Sequence, residues 1–230
     1  MLCMYVCMYS TDILCIQELY TIENKIDGQS DKYNIFTSGE GRSRAAIVVT
    51  NNRVDALLIK QLSDEDTVVL EVTIDNKNII LASMFFDISQ RIEIDLQKIE
   101  AITHHAKGAG VLTAMDSNCR SASWHDTLTN TRGRILEEFL TSKQLYIMTE
   151  ESDYTTFRRR RGSSNIDLTV ISVQLLRTVV EWEISDQESC SDHSIIRYAI
   201  DQGKGHMTEF DFQEVRYIVQ KDNKQKYQRN

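Results

Sequence analysis

GVLTAMDSNCRSASW, running from Gly110 to Trp124, is the stretch whose reading decides the fold. Val111, Leu112, Ala114 and Met115 form a short apolar run between a glycine and the polar cluster Asp116-Ser117-Asn118. Such a run reads as a buried strand that delivers its C-terminal end to the surface. Strand ends are where layered α/β proteins build their sites. Taken alone, Asp-x-Asn at a strand end also fits a turn or a helix cap. The other strand ends decide between these readings.

A chain of 230 residues suits one large domain, or one domain with a tail. Its hydrophobic fraction of 41% is enough for a sizeable core. The 34 acidic residues outnumber the 26 basic ones, for a formal charge of −8. That balance counts against non-specific, high-affinity nucleic-acid binding over the whole surface but leaves room for a local basic strip. The five cysteines (Cys3, Cys7, Cys15, Cys119, Cys190) form no CxxC and no compact framework, the pattern of a reduced intracellular protein. The apolar opening MLCMYVCMYS lacks a basic n-region and is too short to span a bilayer. No other segment approaches a membrane span, so no membrane partner is expected.

Outward from Gly110, the pattern alternates between strands and helices. DILCIQE, Asp12 to Glu18, reads as a buried strand ending in a carboxylate that, in isolation, fits a surface cap. AAIVVT (Ala45–Thr50), TVVLEVTI (Thr67–Ile74, half-buried) and NIILASMFF (Asn78–Phe86) are strands, with Asn76 and Lys77 as a hairpin turn. Three neighbouring β signals with short links imply antiparallel pairing rather than a purely parallel sheet. Between Ser89 and Lys107 the period changes, with Ile92, Leu96, Ile99 and Ile102 marking an amphipathic helix. His104 and His105 fall in its last turn. Adjacent positions diverge on a helix, so they suit the C-terminal dipole better than a metal. A second helix covers Arg134–Lys143, and strands follow at Leu145–Met148, Asn165–Ile171, Val179–Ile184 and Ser194–Ile200. Arg158-Arg159-Arg160-Arg161 runs into Gly162 and serines, so it is an exposed loop: either a solvated hairpin tip or a phosphate-gripping one. From Asp201 the chain turns polar and aperiodic, the composition of a linker or tail over residues 201–230, beyond a domain at 1–200.

Glu18, Asp116, Asp167, Asp192 and His193 thus sit at or near strand ends. If these share a rim, carboxylates, an amide and an imidazole meet there. Hard oxygen ligands suit Mg²⁺ or Mn²⁺, which bind substrate phosphate directly. Such a site favours hydrolysis of a phosphate ester. The zinc spacing, the GxSxG elbow and the glycine-rich nucleotide loop are all lacking.

IQE at Ile16–Glu18, MDSN at Met115–Asn118, SNIDLTVIS at Ser164–Ser172 and SDHS at Ser191–Ser194 resemble the ordered motifs of the exonuclease–endonuclease–phosphatase superfamily. SRAAIVV at Ser43–Val49, Trp124, NTRGRILEEFL at Asn130–Leu140 and TTF at Thr155–Phe157 narrow the resemblance. They are similar to the apurinic/apyrimidinic-endonuclease-like domain of non-LTR (LINE-type) retrotransposons, over about Asp12 to Ile200. The resemblance implies a four-layered α/β sandwich, with two mixed β-sheets flanked by helices. It implies a Mg²⁺-dependent nick in one strand of double-stranded target DNA. The resulting 3′-hydroxyl would prime a reverse transcriptase encoded downstream, in the nucleus. By motif, Glu18 would hold the metal, with Asp192 beside it. Asp116 would orient or deprotonate water, and Asn118 would bind the phosphate. His193 would stabilise the phosphorane, with Asp167 paired to it. Arg158, Arg159, Arg160 and Arg161 fall where relatives carry a DNA-contacting hairpin.

Two family positions differ. The family opens with a strand ending in a metal-binding asparagine. No residue before Asp12 supplies one, so the first strand of the sandwich is expected to be missing or replaced. Phe85 stands where the family has a tyrosine on the substrate phosphate, and Asp87 stands where it has a proline. Losing one transition-state donor lowers rates by ~10²–10³ in comparable sites. The alternatives are therefore a catalytically impaired DNA-binding remnant and a superfamily phosphodiesterase or phosphatase.

Overall fold

In a computed structural model, the described residues are 11–19, 21–22, 25–26, 32–39, 42–74, 77–187, 189 and 191–201. The expectations for Met1–Ser10, Asn76, Cys190 and the tail beyond Asp201 lie outside them. The strands, in chain order, are β1 (Ile13–Gln17), β2 (Thr21–Ile22), β3 (Lys25–Ile26), β4 (Asn34–Phe36), β5 (Ala45–Val49), β6 (Asp55–Leu58), β7 (Thr67–Ile74) and β8 (Lys77–Phe85). They continue with β9 (Gly110–Asp116), β10 (Leu145–Met148), β11 (Phe157–Arg159), β12 (Gly162–Ser164), β13 (Asp167–Ser172), β14 (Val179–Ile184) and β15 (Ile196–Ile200). Among the described residues the α-helices are α1 (Ile92–His105) and α2 (Thr131–Ser142).

The main sheet has six strands in the order β10-β13-β9-β8-β7-β6. Only β8 and β9 run parallel, and α1 connects them, because a parallel return needs a crossover long enough for a helix. The remaining pairs are antiparallel, which makes the sheet mixed. Alternation along each central strand gives the sheet two apolar faces. Val69, Ala82, Met84, Val111, Met115, Leu168 and Val170 meet Leu96, Ile99 and Ile102 of α1 and Leu136 and Leu140 of α2. On the other face Val68, Leu70, Leu81, Leu112 and Ile171 meet Ala45, Ile47 and Val49 of β5. That second strand layer consists of a three-stranded sheet, β1-β5-β4, and the pair β14-β15, all antiparallel. The described residues thus give helices, a mixed sheet and a second strand layer. The mixed α/β fold expected from the sequence is the one observed.

Several local expectations change. Thr67–Ile74 is not half-buried: its first four residues are all buried, because both sheet faces are covered. Conversely Ile13–Gln17 is half-buried rather than buried. Lys77 pairs with Ile74 inside the hairpin ladder, so it belongs to β8 and not to the turn. Ala45–Val49 pairs with β1 and β4 rather than with β7. Sequence proximity points to the wrong neighbour here, because the chain changes layers between β5 and β6. The first helix starts at Ile92 rather than Ser89, since the amide and hydroxyl of Ser89 both donate to the Asp87 carboxylate instead. At α2, Asn130 caps the N-terminus by accepting from the Gly133 amide at 2.7 Å. His104 and His105 are exposed at the end of α1, on the dipole side expected.

Candidate active site

Side chains alternate along a strand, so Asp116 lies on the same face of β9 as Leu112, and Asp167 on the same face of β13 as Ile171. Both carboxylates therefore point toward the second strand layer, at the end of the apolar contact. Asp116 and Asp167 are direct partners in the β9–β13 register. Ser117 locks this end by donating its amide and hydroxyl to the Ile166 carbonyl, at 2.9 and 2.7 Å. Thr156 fixes the start of β13 by accepting from the amides of Ile166 and Asp167, each at 3.0 Å. From the opposite layer β1 brings Glu18, and the Gln17 amide reaches across to Ser83 at 2.8 Å and the Ala114 carbonyl at 3.3 Å.

Glu18, Asp116 and His193 each offer a ligand atom within 4.8 Å of the others. His193 sits between carboxylates. Its Nδ1 is 2.9 Å from Asp167, and its Nε2 is 3.5 Å from Glu18. Glu18 and Asn118 both hold left-handed backbone, with φ of 52° and 48°. Such conformations are costly without glycine and cluster at functional positions. The Asn118 side-chain amide donates to the Phe86 carbonyl at 3.0 Å, and its backbone amide donates to Asp116 Oδ1 at 3.2 Å. The other oxygen of Asp116 is buried without a hydrogen-bond partner.

Burial, reinforced by the neighbouring charge of Asp167, pushes the Asp116 carboxyl well above the usual carboxylate range. Burial also raises Asp167. For His193 burial pulls downward, but the hydrogen bond and charge of Asp167, with Asp116 and Glu18 behind it, win and raise it. Upward shifts on both members of the Asp167–His193 pair mean that the pair holds its proton tightly. An excess of negative charge beside an unpartnered buried carboxylate oxygen is what a divalent cation relieves. These residues fit one: Glu18 is half exposed, Asp116 is buried, and both supply hard oxygen.

The remaining expected residues are placed as follows. Asp192 is outside the cluster of ligand atoms. Its carboxylate accepts from Arg159 Nε at 2.6 Å, and its carbonyl accepts from the Arg158 amide at 2.8 Å. Arg158 to Arg161 are all exposed on the hairpin β11–β12, which adjoins the site through that contact. Phe85, at the end of β8, pairs with Asp116 in the parallel register. Its ring lies 4.8 Å from the Arg44 guanidinium. Arg44 forms ion pairs with Asp66 and with Asp87, the latter at 2.6 Å. Trp124 is buried, and its indole donates to the Asn165 carbonyl at 2.9 Å.

The sequence assigns no role to the polar scaffold beneath the site, even where its residues fall inside quoted motifs. Thr156, Asn165, Ser83 and Arg44 carry no metal-ligand or acid–base signature. The available signal was a polar residue inside an apolar run, such as Ser83 in NIILASMFF, because a buried hydroxyl needs a partner.

Known proteins share this architecture. The chain is 24% identical over 190 residues to the retrovirus-related Pol polyprotein from type-1 retrotransposable element R1 of Bradysia coprophila. It is likewise 24% identical over 190 residues to a putative 115 kDa protein in element R1DM of Drosophila melanogaster. The matches cover 78% and 79% of this chain but only 19% and 18% of those relatives. The endonuclease domain of TRAS1, a telomere-specific non-LTR retrotransposon, superposes with a TM-score of 0.78 at 23% identity, covering 88% of this chain and 91% of that one. The AP endonuclease LMAP of Leishmania major gives a TM-score of 0.69 at 13% identity, covering 86% and 81%. Residues 79–197, more than half of the chain, match the endonuclease-reverse transcriptase family. The chain belongs to that endonuclease-reverse transcriptase family, and it shares the fold of the TRAS1 endonuclease domain.

Proposed function

We propose that this domain is a divalent-metal-dependent endonuclease that nicks one strand of double-stranded DNA. It leaves a 3′-hydroxyl from which a reverse transcriptase domain of the same polyprotein primes synthesis in the nucleus. The observation that carries the reading is the Glu18–Asp116–His193 cluster with Asp167 behind the imidazole. Water attacks phosphorus, the bond from phosphorus to O3′ breaks, and the departing O3′ takes a proton. Asp116 orients the water and accepts its proton on the carboxylate oxygen that has no other hydrogen-bond partner. His193, held as the imidazolium by its Nδ1–H bond to Asp167, presents Nε2–H to a non-bridging phosphate oxygen, and Asp167 fixes the orientation of the ring. The Asn118 amide steadies the phosphate from the strand end. Glu18 would hold Mg²⁺ or Mn²⁺, which supplies positive charge to the phosphate oxygens. Asp192, occupied by Arg159, would stand beside the ion rather than on it.

Incubation with supercoiled plasmid tests this. Open circles should appear with Mg²⁺ and not with EDTA, and a polymerase should extend the nick without end repair. Duplex binding without metal-dependent nicking would instead establish a binding remnant, the reading that Phe85 favours because its ring brings no hydroxyl. Release of inorganic phosphate from a monoester with no nicking would establish a phosphatase.

The hairpin carries its own prediction. Replacing Arg158, Arg160 and Arg161 with serine should weaken duplex binding and reduce the salt slope, by up to about 3 if each grips one phosphate. An unchanged slope would put the DNA contact elsewhere.

A further inference from the structure

His193 hangs on the strand that carries the arginines. Ser194 donates its amide to the Thr156 carbonyl at 2.7 Å and its hydroxyl to the Thr155 carbonyl at 2.8 Å. The Arg158 amide donates to the Asp192 carbonyl, and Phe157 and His193 form an isolated antiparallel bridge. The Phe157 ring then meets the imidazole edge-on, with centroids 4.8 Å apart at 63°. Arg159 closes the assembly, with its guanidinium 5.0 Å from the Phe157 ring and its Nε on Asp192.

We propose that Phe157 is a positioning residue for His193, and that Arg159 serves this clamp rather than DNA. Asp167 alone fixes Nδ1 but leaves the ring free to rock about that hydrogen bond. An aromatic wall across the ring removes this motion, because edge-to-face contact is directional. Arg159 in turn fixes the wall by cation–π contact and anchors the loop through Asp192. The four consecutive arginines therefore divide by role. Arg159, although exposed, is engaged by Asp192 and the Phe157 ring, while Arg160 and Arg161 at the hairpin turn are left for a polyanion.

The kinetic part rests on the nuclease reading, so the test pairs nicking kinetics with a readout that needs no activity. Phe157→Leu should lower kcat about tenfold, the scale of a misplaced catalytic group, with KM for duplex DNA within about twofold. Phe157→Tyr should restore most of the rate. Arg160→Ser with Arg161→Ser should do the reverse, raising KM at constant kcat. In parallel, the Cε1–H resonance of His193 should be single and sharp in the parent chain and in Phe157→Tyr, and exchange-broadened in Phe157→Leu. Thermal melting keeps misfolded variants out of the comparison, and Phe157→Trp replaces Phe157→Leu if the latter does not fold. A change confined to KM, or a His193 signal equally sharp in Phe157→Leu, overturns the proposal. A parent chain that does not nick refutes the nuclease reading alone, because the resonance still reports on the clamp.

Discussion

Asp116→Ala should lower metal-dependent nicking by about 10³–10⁴-fold, near the upper range for loss of a positioned general base. Duplex binding should stay within a few-fold of the parent. The size follows from how little could replace the carboxylate. Asp116 is 1% exposed, so bulk water does not take over its position at low cost. One of its oxygens is already committed to the Asn118 amide, and the other has no protein partner. Its tendency to hold a proton comes from burial first and from the Asp167 charge second, and both vanish with the side chain. Asp116→Asn is the companion variant, since it keeps the shape and an acceptor for Asn118 while removing the charge. Loss of activity in Asn as well as Ala assigns the effect to charge and basicity. Activity within tenfold of the parent in either variant overturns the role given to Asp116.

The second large effect is on stability. Gly133→Ala should destabilise the domain by about 2 kcal/mol or more, lowering the melting temperature by about 4–8 °C for a chain of this size. A β-carbon at Gly133 would fall 2.0 Å from the carbonyl oxygen of Arg120 and 2.7 Å from its carbonyl carbon. These are backbone atoms and do not swing aside. The Arg120 carbonyl accepts from the Asn130 amide at 2.9 Å, and the Arg120 guanidinium grips the fully buried Asp126 carboxylate at 2.7 Å. Alanine is the better helix former by up to about 1 kcal/mol, which works in the opposite direction. The clash wins because α2 or the segment after Asn118 must move bodily. A melting temperature at or above that of the parent would show that α2 can shift freely. Such freedom contradicts the tight packing of Leu136 and Leu140 beneath it.

Periodicity made the elements legible, and motif spacing made the chemistry legible. The apolar run ending at Asp116 is a central strand buried on both faces, and only a strand end so enclosed can present a nearly desolvated carboxylate. The strand-end positions of Glu18, Asp167 and His193 point to a shared rim, and the ligand-atom cluster and the His193 pairings bring them together. The layer of β5 was not legible. Sheet membership depends on which face finds a partner across the core, and local alternation is silent about that. Asp192 stands beside the metal by motif resemblance alone, and its Arg159 partner was not legible because that contact forms only when the hairpin folds against it. The contacts of Arg44, inside the SRAAIVV stretch, were not legible either. A conventional basic residue acquires its role only when folding brings Asp66, Asp87 and Phe85 around it.

The direct pairing of Asp116 with Asp167 makes the centre an all-or-none object. A slip of one residue between β9 and β13 would turn Asp167 toward the helices and exchange Leu168 and Val170 for Thr169 and Ile171 on that face. It would bury a charge among aliphatic side chains, so the core that registers the sheet also proofreads the catalytic pair. Poorly aligned but weakly active molecules have no stable packing to occupy. Variants that only destabilise the fold should therefore reduce the number of working molecules and leave the turnover of each survivor intact.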